Sequence, residues 1–162
     1  MALSVNEELN VIPELADGVL PEGIHLCTME EVAEAFGRFW RSDRRLRLTE
    51  QLRRFVEDAR KSGIVAAVVI DGSYVTQKPE PDDIDLIVAL RPGLPRDVEL
   101  RPFEYNVQSR RMVKQLYRFD VKVAEDGSSL YAEHVDFFAE VRSDDPEQST
   151  TRLRKGLLRI EL

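Results

Sequence analysis

Asp83-Ile84-Asp85 is the part of this chain whose residue types and spacing point most directly to chemistry. Nine residues separate it from a Gly72-Ser73 step. Side chains at i and i+2 of a strand share a face, so the two aspartates project together from the start of an otherwise apolar segment that runs to Leu90. Like charges held side by side repel. A divalent cation, Mg²⁺ or Mn²⁺, relieves that repulsion, and Mg²⁺ is ordinarily held by one or two carboxylates together with substrate phosphates. Gly72 has no Cβ, which permits a sharp turn and the close approach of a phosphate. Ser73 offers a hydroxyl and a backbone N–H. Pro79 limits any helix over residues 73–78 to a short turn, yet one turn already presents free N–H groups to an anion. Lys78 adds a positive charge beside that loop.

The elements that position these residues follow from the surrounding pattern. Residues 64–70 carry no charge and are mostly β-branched, which suits a strand covered on both faces. Leu86 to Leu90 continues the second strand until Arg91-Pro92-Gly93 ends it. Phe119 to Val123 alternates and reads as a half-buried strand. Thr28-Met-Glu-Glu31 has the form of a capping box, followed by a stripe of Val32, Ala35, Phe36 and Phe39, with Trp40 in the same apolar environment. Leu48, Leu52, Phe55, Val56 and Ala59 repeat the helical period, and Gly63 is a good stop. Residues 103–117 and 128–141 are expected to be helices, 143–151 a loop, and 156–162 a final strand. The expected organisation is one domain over 1–162: an irregular arm at 1–27, a helical front at 28–63, a catalytic core at 64–124, and a C-terminal helix, loop and strand at 125–162.

Gly-Ser, a loop of about ten residues, and Asp-x-Asp entering a strand together resemble the signature of the nucleotidyltransferase superfamily of the DNA polymerase beta type. The short chain most resembles its minimal members, including those of AbiE-type toxin–antitoxin systems. The resemblance covers residues 64–90 and extends to about residue 124. It implies an α/β fold, a mixed β-sheet flanked by helices, and Mg²⁺- or Mn²⁺-dependent transfer of a nucleoside monophosphate from a nucleoside triphosphate to a hydroxyl. It also implies a third carboxylate from a later strand. Asp120 is the best candidate, since aspartate in mid-strand is disfavoured without a reason; Asp136 is a rival on a helix face. Asp83, Asp85 and Asp120 would then hold metal and act in catalysis, while Gly72, Ser73 and Lys78 hold the triphosphate. Lys122, two residues beyond Asp120, either neutralises phosphate charge or pairs with Asp120. Asp71 and Asp82 are expected to point away from the Asp83/Asp85 face as solvated charges.

Composition narrows the partners. With 23 basic and 30 acidic side chains the net charge is −7, which disfavours a broad nucleic-acid surface, because sequence-blind affinity comes from neutralising phosphates with Lys and Arg. Two basic clusters remain: Arg110, Arg111, Lys114 and Arg118, and Arg152, Arg154, Lys155 and Arg159. Either can serve triphosphate, partner or solvent. The acceptor is expected to be a hydroxyl of a partner protein, a neighbouring toxin first, or of an RNA end. Cys27 is the one cysteine, so no intrachain disulfide forms. No signal-like or membrane-spanning run is evident, and a cytoplasmic location is expected. A catalytically decayed nucleotide-binding or antitoxin-like partner-binding module is the alternative reading.

Overall fold

The computed structural model describes residues 12–38, 41–95, 98–141 and 153–162. Phe39, Trp40, Arg152 and the expected loop at 143–151 lie outside them, as do residues 1–11 of the expected arm. The fold is α/β, with a mixed five-stranded sheet flanked by helices. In chain order the strands are β1 Ile24–Leu26, β2 Val65–Asp71, β3 Asp85–Leu90, β4 Asp120–Glu125 and β5 Leu157–Glu161. Their order in the sheet is β1-β5-β2-β3-β4. β2 is antiparallel to β3 and to β5, whereas β3 and β4 run parallel, as do β1 and β5. The strands expected at 64–70, 84–90 and 119–123 are therefore neighbours.

β2 and β3 are central strands, and their apolar runs match burial on both faces: Val68, Val69, Ile70, Leu86, Ile87 and Val88 are all fully buried. One face carries the main core, packed by α1 Met29–Phe36, α2 Arg44–Ser62, α3 Pro102–Gln108 and α4 Arg110–Tyr117. The other carries a smaller cluster of Val69, Ile87, Leu157 and Phe138, the last from α5 Ser129–Ala139. In α1 both bonds of the capping box form, Glu31 N–H to Thr28 Oγ1 at 3.2 Å and Thr28 N–H to Glu31 Oε2 at 2.7 Å. α2 buries Leu52, Phe55, Val56 and Ala59 and ends at Gly63, whose φ of 73° is left-handed.

Three local features depart from the sequence expectation. The segment before α1 is not wholly irregular, because β1 joins the edge of the sheet beside β5. Residues 103–117 form two helices rather than one. Ser109 ends α3 and caps α4, its Oγ accepting from Met112 N–H at 3.3 Å. α2 begins at Arg44, ahead of the first residue of its apolar stripe, and so carries Arg45 into the interior.

Candidate functional site

The site is built by strand register. Asp71, the last residue of β2, faces Asp85, the first of β3, and Asp85 faces Asp120, the first of β4. Directly opposed residues share a sheet face with Cβ atoms about 4.5–5.5 Å apart. Three carboxylates thus form a row across three adjacent strands. Asp83 lies just before β3, next to the turn that leaves β2. That turn needs glycine: Gly72 has φ 96°, and a Cβ there would come within 3.0 Å of Asp83 O and 3.1 Å of Asp85 N. Ser73 opens a single 3₁₀ turn, Ser73–Val75, and its Oγ ties the turn to the next strand. It donates to Asp83 Oδ1 at 3.0 Å and accepts from Asp82 N–H at 2.9 Å.

All four carboxylates line one cleft of 790 Å³. Gly72 and Ser73 line it too, with Arg110, Lys122 and Lys155 as cations and Phe137, Phe138 and Val141 as an apolar wall. Asp71 departs from expectation. It faces the cleft and is 5% exposed, because the register that aligns it with Asp85 turns it to the same side. Lys155 Nζ stands 2.7 Å from its Oδ1, in an ion pair without the alignment of a hydrogen bond.

The other three carboxylates each hold a different partner. Asp71 has Lys155, Asp120 has Lys114 at 3.1 Å, and Asp83 takes the Ser73 hydroxyl. The Asp85 carboxylate, in the middle, has neither hydrogen bond nor ion pair among the described residues. Burial first, and then the charges of Asp83, Asp71 and Asp120, push its pKa up to about 6, against a smaller lowering by Lys155. A carboxyl raised in the fold binds its proton more tightly there than in the unfolded chain. Ionised Asp85 therefore opposes folding above pH 6, and the penalty fades as pH falls toward 4. Asp85→Asn should stabilise the metal-free protein at pH 7.5 by about 2 kcal/mol, with the gap closing near pH 4. Denaturant titrations at both pH values check this; equal stabilities at pH 7.5 would show that Asp85 bears no such strain.

The other expected site residues are placed as follows. Lys122 lies in the cleft lining with its Nζ 4.8 Å from the centroid of the Phe137 ring. The ion pair of Asp120 goes to Lys114 instead. Lys78 pairs with Asp82 on the surface and is outside the cleft lining. Asp136 is paired with Arg154 at 2.8 Å. Described members of the two basic clusters go to different places. Arg110 reaches the cleft, Arg159 makes a two-pronged contact with Asp126 at 2.9 Å, and Arg154 also binds Glu22. Cys27 is buried, and burial pushes its thiol up to about 12, which leaves it inert at neutral pH.

One buried cation organises the loop after Gly72-Ser73. Arg45 is 7% exposed. Its guanidinium donates to Phe36 O at 3.1 Å, Tyr74 O at 2.8 Å and Thr76 O at 2.9 Å, and to Lys78 O as well. The loop that follows Gly72-Ser73 is thereby pinned to the start of α2.

The donor set fits a hard divalent cation. It consists of carboxylate oxygens, and it leaves an excess of negative charge centred on Asp85. No three acidic, imidazole or thiol groups among the described residues are already gathered into a chelate. Asp71, Asp83 and Asp120 are each engaged by a different partner, Lys155, Ser73 and Lys114.

Fold and site together define an α/β protein with a carboxylate-lined cleft where three neighbouring strands of a mixed sheet meet. The chain belongs to DUF6932, a family of unknown function whose model matches residues 13–161. Comparison with curated proteins and with solved structures finds no match.

Proposed function

We propose that this protein is a Mg²⁺- or Mn²⁺-dependent nucleotidyltransferase that moves a nucleoside monophosphate from a nucleoside triphosphate to a hydroxyl of a partner protein or an RNA end. The observation that carries the reading is the in-register row of carboxylates beside the Gly72-Ser73 turn. Divalent ions bound there would neutralise phosphate charge and make the acceptor hydroxyl more acidic. Asp83, Asp85 and Asp120 are the residues that would hold them. Asp120, more exposed than Asp71 or Asp85, would meet an incoming acceptor and accept its proton. Ser73, whose N–H and Oγ donate to Asp83 Oδ1 at 3.3 and 3.0 Å, would turn these donors to a phosphate oxygen once metal holds Asp83. Arg110 and Lys122 add positive charge on the side of the cleft that carries Asp120.

The apolar wall supports a nucleotide over a bare phosphate. Phe137 is 46% exposed and tilted at 45° to Phe138. A nucleobase laid on that wall would keep its triphosphate toward the carboxylates. Phe137→Ala should weaken nucleoside triphosphate binding about 3- to 10-fold and leave inorganic tripolyphosphate binding unchanged. Isothermal titration with both ligands checks this; equal losses would remove the stacking role.

The reaction is tested by incubating the protein with each labelled nucleoside triphosphate and Mg²⁺, with and without cell extract, and identifying the labelled product. A covalent nucleotide on protein or RNA supports transfer. A second reading, a nucleotide-binding partner module without transfer, draws on one observation: Ser73, Asp83, Asp71 and Asp120 are each engaged by a hydrogen bond or ion pair within the chain itself. Tight Mg²⁺-dependent binding with no labelled product would favour it. No described helix is long and apolar enough to cross a membrane, and a cytoplasmic setting, beside a toxin as partner, belongs to the same proposal.

A further inference from the structure

The Lys155–Asp71 pair is not explained by stability. Replacing a buried ion pair with apolar side chains is often neutral or stabilising, and Asp71 worsens the crowding of negative charge on Asp85. The pair is also asymmetric. Asp71 is fixed at the end of a central strand, one residue before the obligatory glycine. Lys155 is fixed only at its backbone. Its N–H bonds Ala139 O at 2.8 Å, and the next N–H, of Gly156, bonds Leu20 O at 2.9 Å. A Cβ at Gly156 would fall 2.0 Å from Pro21 O, so the chain there is clamped against that segment. From this anchor a flexible four-carbon stem carries a compact charge into the cleft. Its side chain remains 18% exposed, whereas that of Asp71 is 7% exposed.

We propose that Lys155 is a binding residue for the β- and γ-phosphates of the nucleotide, and that Asp71 is its resting partner, holding the ammonium in the cleft until a more highly charged anion arrives. The proposal rests on the nucleotidyltransferase reading and adds to it a phosphate ligand supplied from the segment before β5. A triphosphate presents more negative charge than the single Asp71 carboxylate, and the ammonium can swing toward it without moving the backbone. The lysine serves the ligand and the aspartate serves the lysine.

This ordering separates phosphate binding from mere neutralisation of Asp71. The tightest-bound of the four common nucleoside triphosphates and its monophosphate are titrated, with Mg²⁺, into wild-type protein, Lys155→Met, Asp71→Asn and the double variant. Lys155→Met should weaken the triphosphate about tenfold and leave the monophosphate unchanged. Asp71→Asn should keep or tighten triphosphate binding. The double variant should stay about tenfold weak. It leaves neither member of the pair as an unpartnered charge, so it keeps the test valid if Lys155→Met alone fails to fold. Recovery of wild-type triphosphate affinity in the double variant would overturn the proposal, as would equal losses for triphosphate and monophosphate. Those outcomes leave the nucleotidyltransferase reading standing. Wild-type protein that binds no nucleoside triphosphate in the presence of Mg²⁺ overturns both.

Discussion

Asp83→Asn combined with Asp85→Asn is expected to abolish Mg²⁺-dependent nucleotide binding and transfer while leaving the protein folded. The two residues supply the centre of the carboxylate row and its nearest neighbour in the loop. Without them Asp71 and Asp120 remain on β2 and β4, the strands that flank β3, each already matched to a lysine. On the proposed reading, losing the metal would remove several kcal/mol of charge stabilisation from the transition state, so the rate should fall by at least about a thousandfold. Stability should move the other way. The carboxylate that burial and three neighbours disfavour is gone, and the metal-free variant should melt above the wild type at neutral pH. Mg²⁺ should raise the melting temperature of the wild type and leave that of the variant unchanged. A double variant that still transfers nucleotide at the wild-type rate sinks the enzymatic reading.

Arg45→Leu is expected to cost about 3 kcal/mol, roughly a 10 °C drop in melting temperature for a chain of this size. The leucine is apolar, but it strands the main-chain carbonyls of Phe36, Tyr74, Thr76 and Lys78 that the guanidinium serves. A buried acceptor left without a partner costs about 1–3 kcal/mol; those of Thr76 and Lys78 are partly reached by water and cost less. Arg45→Lys should recover little, because a single ammonium cannot span the fork of acceptors. Nucleotide affinity should fall in the same variant even well below its melting temperature, since the loop after Ser73 loses its tie to α2. Chemical denaturation and titration at 15 °C check both parts. An Arg45→Leu protein as stable as wild type would show that water satisfies these carbonyls.

The parts of the site that follow from local rules were legible in the sequence. The i, i+2 spacing of Asp83 and Asp85, the glycine at a turn and the alternation around Asp120 are short-range signals, and the structure brings these residues to one cleft. Asp71 and Lys155 were not legible, for a different reason in each case. Asp71 reads as a strand-ending charge until the pairing of β2 with β3 is known, because its face is set by register. Lys155 reads as one of a basic run until β5 is found inserted between β1 and β2. Ser109 misled through its dual use: apolar residues on both sides of it keep a helical period although the chain changes direction there. Arg45 carried no sequence signal, since an arginine in a helix rich in arginines is ordinarily at the surface.

The carboxylate row also makes the site a proofreader of its own sheet. A slip of one residue between β2 and β3 would turn Asp85 to the opposite face from Asp71, and the same slip between β3 and β4 would part Asp85 from Asp120. A misassembled chain could still hide its apolar strands, which are buried on both faces, and so pass a test based on compactness alone. It could not gather its carboxylates. On the proposed reading, metal response would distinguish molecules whose strands are aligned from those that are only collapsed, and a one-residue insertion within β3 should erase it while a similar insertion among residues 76–81 should not.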